Sequence, residues 1–205
     1  MALALRKEDK RPWTYRDYYN MPDDGNRYEI IDGELFMMAA PTHKHQAILM
    51  ELSNRFYNYM RGKPCQVLFA PLDVRLALYG EKKGEEINVV QPDIMVFCSR
   101  DQLDEKGGVA APDFVAEVLS PSTKKMDRLR KLRLYEKTGV KEYWIIDGEN
   151  ETVEVYVNDG KKFGPKTYYN MNSTLTSAIF TDFEVKVSDI IVEPFQWLQE
   201  QEESE

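Results

Sequence analysis

Two carboxylates stand where a carboxylate is hard to keep. Asp93 follows Gln91-Pro92 and opens the apolar run Ile94-Met95-Val96-Phe97, and Glu117 lies inside Phe114-Val115-Ala116-Glu117-Val118-Leu119. An ionised side chain inside an apolar strand loses its water and must find a partner. Pro92, with no N–H, belongs at the start or edge of a strand. Two neighbouring strands that each bring one acid would form a compact oxygen site. Mg²⁺ takes such a site, with one or two carboxylates plus waters and phosphate oxygens. The same residues could do purely structural work, Asp93 capping a turn and Glu117 pairing with an arginine.

The segment after Glu117 supplies the opposite charge. Between Lys124 and Lys141 lie eight basic residues, Lys124, Lys125, Arg128, Arg130, Lys131, Arg133, Lys137 and Lys141, against the acids Asp127 and Glu136. Helical periodicity over this run puts Leu129, Leu132 and Tyr135 on the buried stripe. Lys131 then falls at the margin of the stripe, beside Tyr135 and one turn after Asp127, and can reach inward. Lys124, Lys125, Arg128 and Arg130 are candidates to meet a phosphate backbone. The plain alternative is a solvated helix face.

Positioning these residues requires a sheet with helices. Residues 14–20 read as a short helix capped by Thr14. Asp32-Gly33 between Tyr28–Ile31 and Glu34–Met38 predicts a tight type I′ hairpin. Pro41 and Thr42 open a helix of some 18 residues whose apolar face is Ile48, Leu49, Leu52, Phe56, Tyr59 and Met60. Strands are expected at Cys65–Leu78, Asp93–Cys98 and Phe114–Leu119, then a helix from about Lys124 to Thr138 closed by Gly139. Tyr143-Trp144-Ile145-Ile146 reads as an interior strand. Thr152–Val157 and Thr167–Asn170 read as a hairpin, and Ala178–Phe180 and Phe183–Val187 as two further β runs. Met37 and Met38 are read as core packing. Residues 1–12 read as a loose tail, 13–195 as one domain and 196–205 as an acidic tail.

Composition bounds the rest. The chain has 205 residues and a net charge of −8, which argues against a generic polycationic nucleic-acid binder but not against a local basic groove. Cys65 and Cys98 are the only cysteines and His43 and His45 the only histidines, so disulfide frameworks, four-thiolate zinc sites and histidine-rich metal sites are excluded. Two buried thiols in a reducing cytoplasm are expected. No stretch approaches the roughly 20 apolar residues of a membrane helix, so a cytoplasmic protein with no membrane partner is expected.

One set of motifs is more specific. It comprises Arg27-Tyr28-Glu29-Ile30-Ile31-Asp32-Gly33-Glu34-Leu35, Pro41 with His45, Pro92-Asp93 and Pro112-Asp113-Phe114-Val115-Ala116-Glu117-Val118-Leu119-Ser120-Pro121-Ser122-Thr123. Asp127, Lys131, Tyr135 and Gly139-Val140-Lys141-Glu142-Tyr143-Trp144-Ile145-Ile146-Asp147 complete it. Over about residues 13–190 this resembles the Uma-two family, placed with the restriction-endonuclease-like, PD-(D/E)XK nucleases. The resemblance implies an α/β (α+β) fold with a mixed central sheet flanked by helices, an N-terminal β-hairpin and a C-terminal β appendage. It implies a metal-dependent endonuclease acting on DNA with Mg²⁺ or Mn²⁺. Asp93 and Glu117 match the acids of the two half-motifs and would hold the metal.

The departure from the usual pattern is a lysine. The motif places it two residues after the second acid, where Leu119 stands here, and Lys131 is expected to replace it as the catalytic cation. Members tend to carry the equivalents of Glu29 and His45. Glu29 is either a third acid near the metal or an ordinary hairpin charge. His45 either orients water or phosphate, or is a satisfied, partly buried histidine. A homodimer is compatible with cutting two strands, with the apolar segment after Thr152 as a candidate interface. The rival expectation is an inactive nuclease-fold protein that binds nucleic acid or a protein partner.

Overall fold

The computed structural model describes residues 4–5, 11–78, 80–121 and 123–193. The rest of the two expected tails, residues 1–3, 6–10 and 196–205, lies outside the described residues. The elements in order are β1 (Ala4–Leu5), α1 (Tyr15–Tyr19), β2 (Tyr28–Ile31), β3 (Glu34–Met37), α2 (His43–Met60), β4 (Gln66–Phe69), β5 (Val74–Arg75), β6 (Val89–Val90) and β7 (Ile94–Phe97). There follow β8 (Leu103–Asp104), β9 (Gly107–Gly108), β10 (Phe114–Val118), α3 (Leu132–Thr138), β11 (Glu142–Asp147), β12 (Thr152–Val157), β13 (Thr167–Asn170), β14 (Thr174–Thr176) and β15 (Glu184–Lys186).

The fold is a mixed α+β arrangement built on a six-stranded sheet of order β13-β12-β11-β10-β7-β4. Its β10–β11 pair is parallel and its other pairs are antiparallel. Side chains alternate between its faces. Ile94, Val96, Phe114, Ala116, Val118, Trp144 and Ile146 face one core. Met95, Phe97, Val115, Leu119, Tyr143 and Ile145 face another. The first core is covered by α2, through Ile48, Leu52, Phe56 and Met60, and by Phe180, Phe183, Val185, Val187 and Ile190 from the C-terminal segment. Phe56 stacks on Phe183 with ring centroids 4.2 Å apart. The second core is covered by α3 and by residues of a seven-stranded sheet of short strands, ordered β1-β3-β2-β6-β5-β9-β8.

The local signals hold where capping and turn chemistry act. Thr14 forms a capping box with Asp17, and the hairpin turn has φ of 52° at Asp32 and 74° at Gly33, as a type I′ turn demands. Gly139 closes α3 in the left-handed conformation.

Several expectations are corrected by tertiary context. The strand expected over Cys65–Leu78 is broken near Pro71. Its first part, β4, joins the six-stranded sheet and its second, β5, joins the other. Ala178–Phe180 is not a strand, because the Ala178 and Ile179 N–H groups donate to the buried Glu142 carboxylate instead of to a ladder. Of the described apolar residues after Thr152, Val153 and Val155 of β12 and Phe180, Phe183, Val185, Val187 and Ile190 are buried in the first core, whereas Val157 and Tyr168 are exposed. Cys65 and Cys98 are not separate thiols but a disulfide, with Cα atoms 4.1 Å apart. The β4–β7 register pairs Gln66 with Phe97, which sets Cys65 against Cys98 across 33 residues of sequence.

The helix after β10 also differs from expectation. It runs from Lys124 to Thr138, but residues Met126–Lys131 are π-helical, and the Leu132 N–H bonds the Asp127 carbonyl five residues back. A wider turn advances each residue by less than 100°, so the buried stripe slips. Leu129, expected inside, is 47% exposed. Asp127, Lys131, Leu134 and Tyr135 are inside instead.

Candidate active site

The antiparallel register of β7 and β10 pairs Ile94 with Ala116, so one further step sets Asp93 opposite Glu117. Both side chains share the face of Met95 and Val115, and both line one cleft. The Asp93 N–H lies 3.4 Å from Glu117 Oε2, and the Val118 N–H donates to Asp93 Oδ2 at 2.8 Å. His45, in the first turn of α2, puts Nε2 3.1 Å from the same Oδ2. Asp93 Oδ1 accepts no hydrogen bond among the described residues.

Lys131 enters from the π-helical turn and is 3% exposed. Its Nζ lies 2.9 Å from Glu117 Oε1, 3.0 Å from Glu29 Oε1 and 3.7 Å from Asp127 Oδ1. The Tyr135 hydroxyl donates to Glu117 Oε1 at 2.8 Å, and the Gln91 N–H donates to Glu29 Oε1 at 2.7 Å. Leu119, two residues after Glu117, is buried in the second core, and Lys131 supplies the only ammonium that the structure brings to Glu117 among the described residues.

The structure thus gathers Asp93, Glu117, Lys131, His45 and Glu29, all five of the residues that the sequence singles out for chemistry. Glu29 stands in the lysine's shell rather than as an isolated hairpin charge. Asp127 and Tyr135 complete the cluster. Their signal in the sequence was spacing: Asp127 is four residues before Lys131, and Tyr135 four after it.

The cluster holds more negative charge than it neutralises. Burial pushes the Glu117 carboxyl well above its usual range, outweighing Lys131. Asp127 rises to about 6 for the same reason. For His45 burial acts downward, but the hydrogen bond and charge of Asp93 prevail and raise it. Lys131 is also raised, because Glu117, Glu29 and Asp127 outweigh its burial.

Among the described residues no three His, Cys, Asp or Glu side chains are arranged to hold a metal. What is present is a pair of carboxylates with surplus negative charge, Asp93 Oδ1 free and Glu117 Oε2 in only a long contact. Mg²⁺ suits a pair, because it keeps waters and takes phosphate oxygens for the rest of its shell.

The cations expected to meet nucleic acid are placed differently. Arg128 lies 3.0 Å from Asp147 and 2.8 Å from Glu154. Lys124 lies near Asp147 and Glu149, and Arg130 pairs with Glu34 at 2.8 Å. Lys125 is exposed with no ion pair among the described residues. None of the four lines the cleft. No helix among the described residues is long and apolar enough to cross a membrane.

The cleft has a volume of about 550 Å³. Its lining includes residues of the β2–β3 hairpin and of α2, together with Asp93 and Glu117. Met37 and Met38 line it and Met37 is 42% exposed, so these are wall residues rather than core. Met37 follows the inward-facing Phe36 and therefore points outward.

A solved structure from Anabaena variabilis, titled a putative nuclease belonging to DUF820, shares this fold. The TM-score is 0.71 at 22% sequence identity, covering 88% of this chain and 98% of that one. An uncharacterized protein of Synechocystis sp. is 27% identical over 131 residues, 63% of this chain and 65% of that relative's length. This chain thus spans about two thirds of that relative. Residues 15–188 match the family described as "Putative restriction endonuclease", and the chain belongs to that family, Uma2.

Proposed function

We propose that this protein is a Mg²⁺- or Mn²⁺-dependent endonuclease that hydrolyses DNA phosphodiester bonds. The observation that carries the reading is the meeting of Asp93 and Glu117 at the end of adjacent strands, in an open cleft, with Lys131 behind them. Asp93 and Glu117 would hold the ion. A bound divalent ion supplies Lewis acidity at a phosphoryl oxygen and a more acidic water.

The chain's own groups supply the rest. The Val118 N–H and His45 fix Asp93 through Oδ2 and leave Oδ1 free to ligate. Lys131 and Tyr135 both hold Glu117 through Oε1, which turns Oε2 toward Asp93. Lys131 also lines the cleft, where its ammonium offsets charge gathering on the phosphate in the transition state. This fixed arrangement needs no reorganisation when the phosphate arrives.

One observation favours the rival reading, a nuclease-fold protein that binds without cutting: three carboxylates already surround Lys131. Plasmid incubated with the purified protein and Mg²⁺ or Mn²⁺ decides. Nicking that disappears in Asp93→Ala supports the enzyme, and retarded but intact DNA supports the binder.

A further inference from the structure

The cleft continues well beyond the carboxylates. His45, Leu49, Ser53 and Tyr57 line it from one face of α2, spaced four residues apart. At 1.5 Å per residue that stripe is roughly 18 Å long, enough for a few stacked nucleotides. Four of the eight exposed large hydrophobic side chains among the described residues line this same cleft: Met37, Met50, Tyr57 and Phe69. Tyr57 and Phe69 are 59% and 58% exposed. Such concentration marks a surface that binds something.

The charges along the cleft narrow the choice. Its basic lining residues besides His45 are Arg27 and Lys131, and Lys131 is held by carboxylates. Duplex binding rests on rows of Lys and Arg along the phosphate backbone, and this wall has none. Single strands also use cations along the backbone, but they add a contact that a paired duplex cannot offer, the stacking of exposed bases on aromatic and apolar side chains. Three polar groups in the lining also lack partners. Arg27 Nη2, His45 Nδ1 and Ser53 Oγ are buried without a hydrogen bond among the described residues, although Arg27 Nε is fixed at 2.8 Å from Gln91 Oε1. An oriented guanidinium with a spare N–H is suited to a phosphate or a base edge.

We infer that the cleft takes an unpaired polynucleotide strand, its bases stacked along the wall of Tyr57, Phe69, Met37 and Met50 and its backbone crossing Asp93 and Glu117. This rests on the nuclease reading for the chemistry at Asp93 and Glu117, but the occupant can be tested separately.

The test is binding of one labelled oligodeoxynucleotide, single-stranded and as a duplex, to the full chain in Ca²⁺. The single strand should bind at least tenfold more tightly. Tyr57→Ala and Phe69→Ala should each weaken it by about 5- to 100-fold, the range for loss of one stacking contact. Tyr57→Phe should retain it, and duplex binding should not change. Both side chains are exposed, so unchanged melting temperatures would exclude misfolding. Duplex bound as tightly as single strand, or alanine variants within twofold of the parent, would overturn the inference. Duplex cut in Mg²⁺ with the single strand spared would leave the nuclease reading standing and sink this one. The expected binding pattern with neither form ever cut would do the reverse. No binding of either form would sink both.

Discussion

One helix, running from Lys124 to Thr138, serves two charged clusters, and they differ in kind. On one side Arg128 and Lys124 face Asp147, and Arg128 and Lys166 hold Glu154. Burial raises both acids, but their hydrogen bonds and neighbouring cations prevail, so Asp147 and Glu154 lie below their usual ranges. On the other side Lys131 faces Glu117, Glu29 and Asp127, with Asp93 adjoining, and Glu117 and Asp127 are raised. The first cluster is satisfied and fastens the helix to the sheet. The second retains unmet negative charge in a cleft, where an incoming cation would relieve it. Strained carboxylates in a cleft mark candidate chemistry, whereas neutralised ones mark architecture.

The largest effect should follow from cutting the ligand pair. Asp93→Asn keeps the shape and removes the charge, and Mg²⁺-dependent nicking should fall by on the order of 10²- to 10³-fold or more, as for loss of a preorganised transition-state group. Thermal melts should change little. Nicking at the parental rate would remove the metal role from Asp93.

Lys131→Met should be next. Met keeps the length and apolar character of the stem, but Lys131 is buried among three carboxylates, so loss of its charge reaches the fold. Removing one partner of a buried ion pair costs about 3–5 kcal/mol, read as a shift in denaturant midpoint at pH 8. The deficit should shrink toward pH 5. Glu117 and Asp127 have folded pKa values above their unfolded ones, so the folded state binds the extra protons. The stability this contributes is complete below about pH 4 and is lost as pH rises through about 6 at Asp127. A pH-independent deficit would mean that these carboxylates do not govern the cluster.

Arg128→Met tests the satisfied side, where the carboxylate shifts have the opposite sign. It should cost about 1–3 kcal/mol and leave nicking unchanged. Asp147 and Glu154 have depressed folded values, so their contribution is present above about pH 4 and lost as pH falls through the folded values. The difference between parent and variant should therefore close in acid, where the Lys131 deficit also narrows, but at lower pH. Loss of nicking in this variant would join the two clusters into one.

The smallest effect belongs to Arg130, 41% exposed beside a half-exposed Glu34. Arg130→Met should change stability by no more than about 0.5 kcal/mol. DNA affinity and its salt dependence should hardly change, since Arg130 does not line the cleft. A marked fall in the slope of log K against log salt would restore this helix face as a phosphate track.

What the sequence determined was local. Asp-Gly imposed the hairpin, Thr14 and Thr42 began their helices, Gly139 ended another, and strand alternation fixed which residues face each core. Asp93 and Glu117 were legible because a carboxylate in an apolar strand has few physical explanations. Tertiary structure decided how the pieces meet. The β4–β7 register joined Cys65 to Cys98, and the β7–β10 register set Asp93 against Glu117. The π-helical turn moved Leu129 out and drew Asp127 and Lys131 in, which no constant helical period can show. The basic run read as a binding face became mostly intramolecular pairs, because its acids Asp147, Glu154 and Glu34 are remote in the chain. Registers, helix slips and charge pairing depend on partners distant in sequence, and local periodicity carries no information about them.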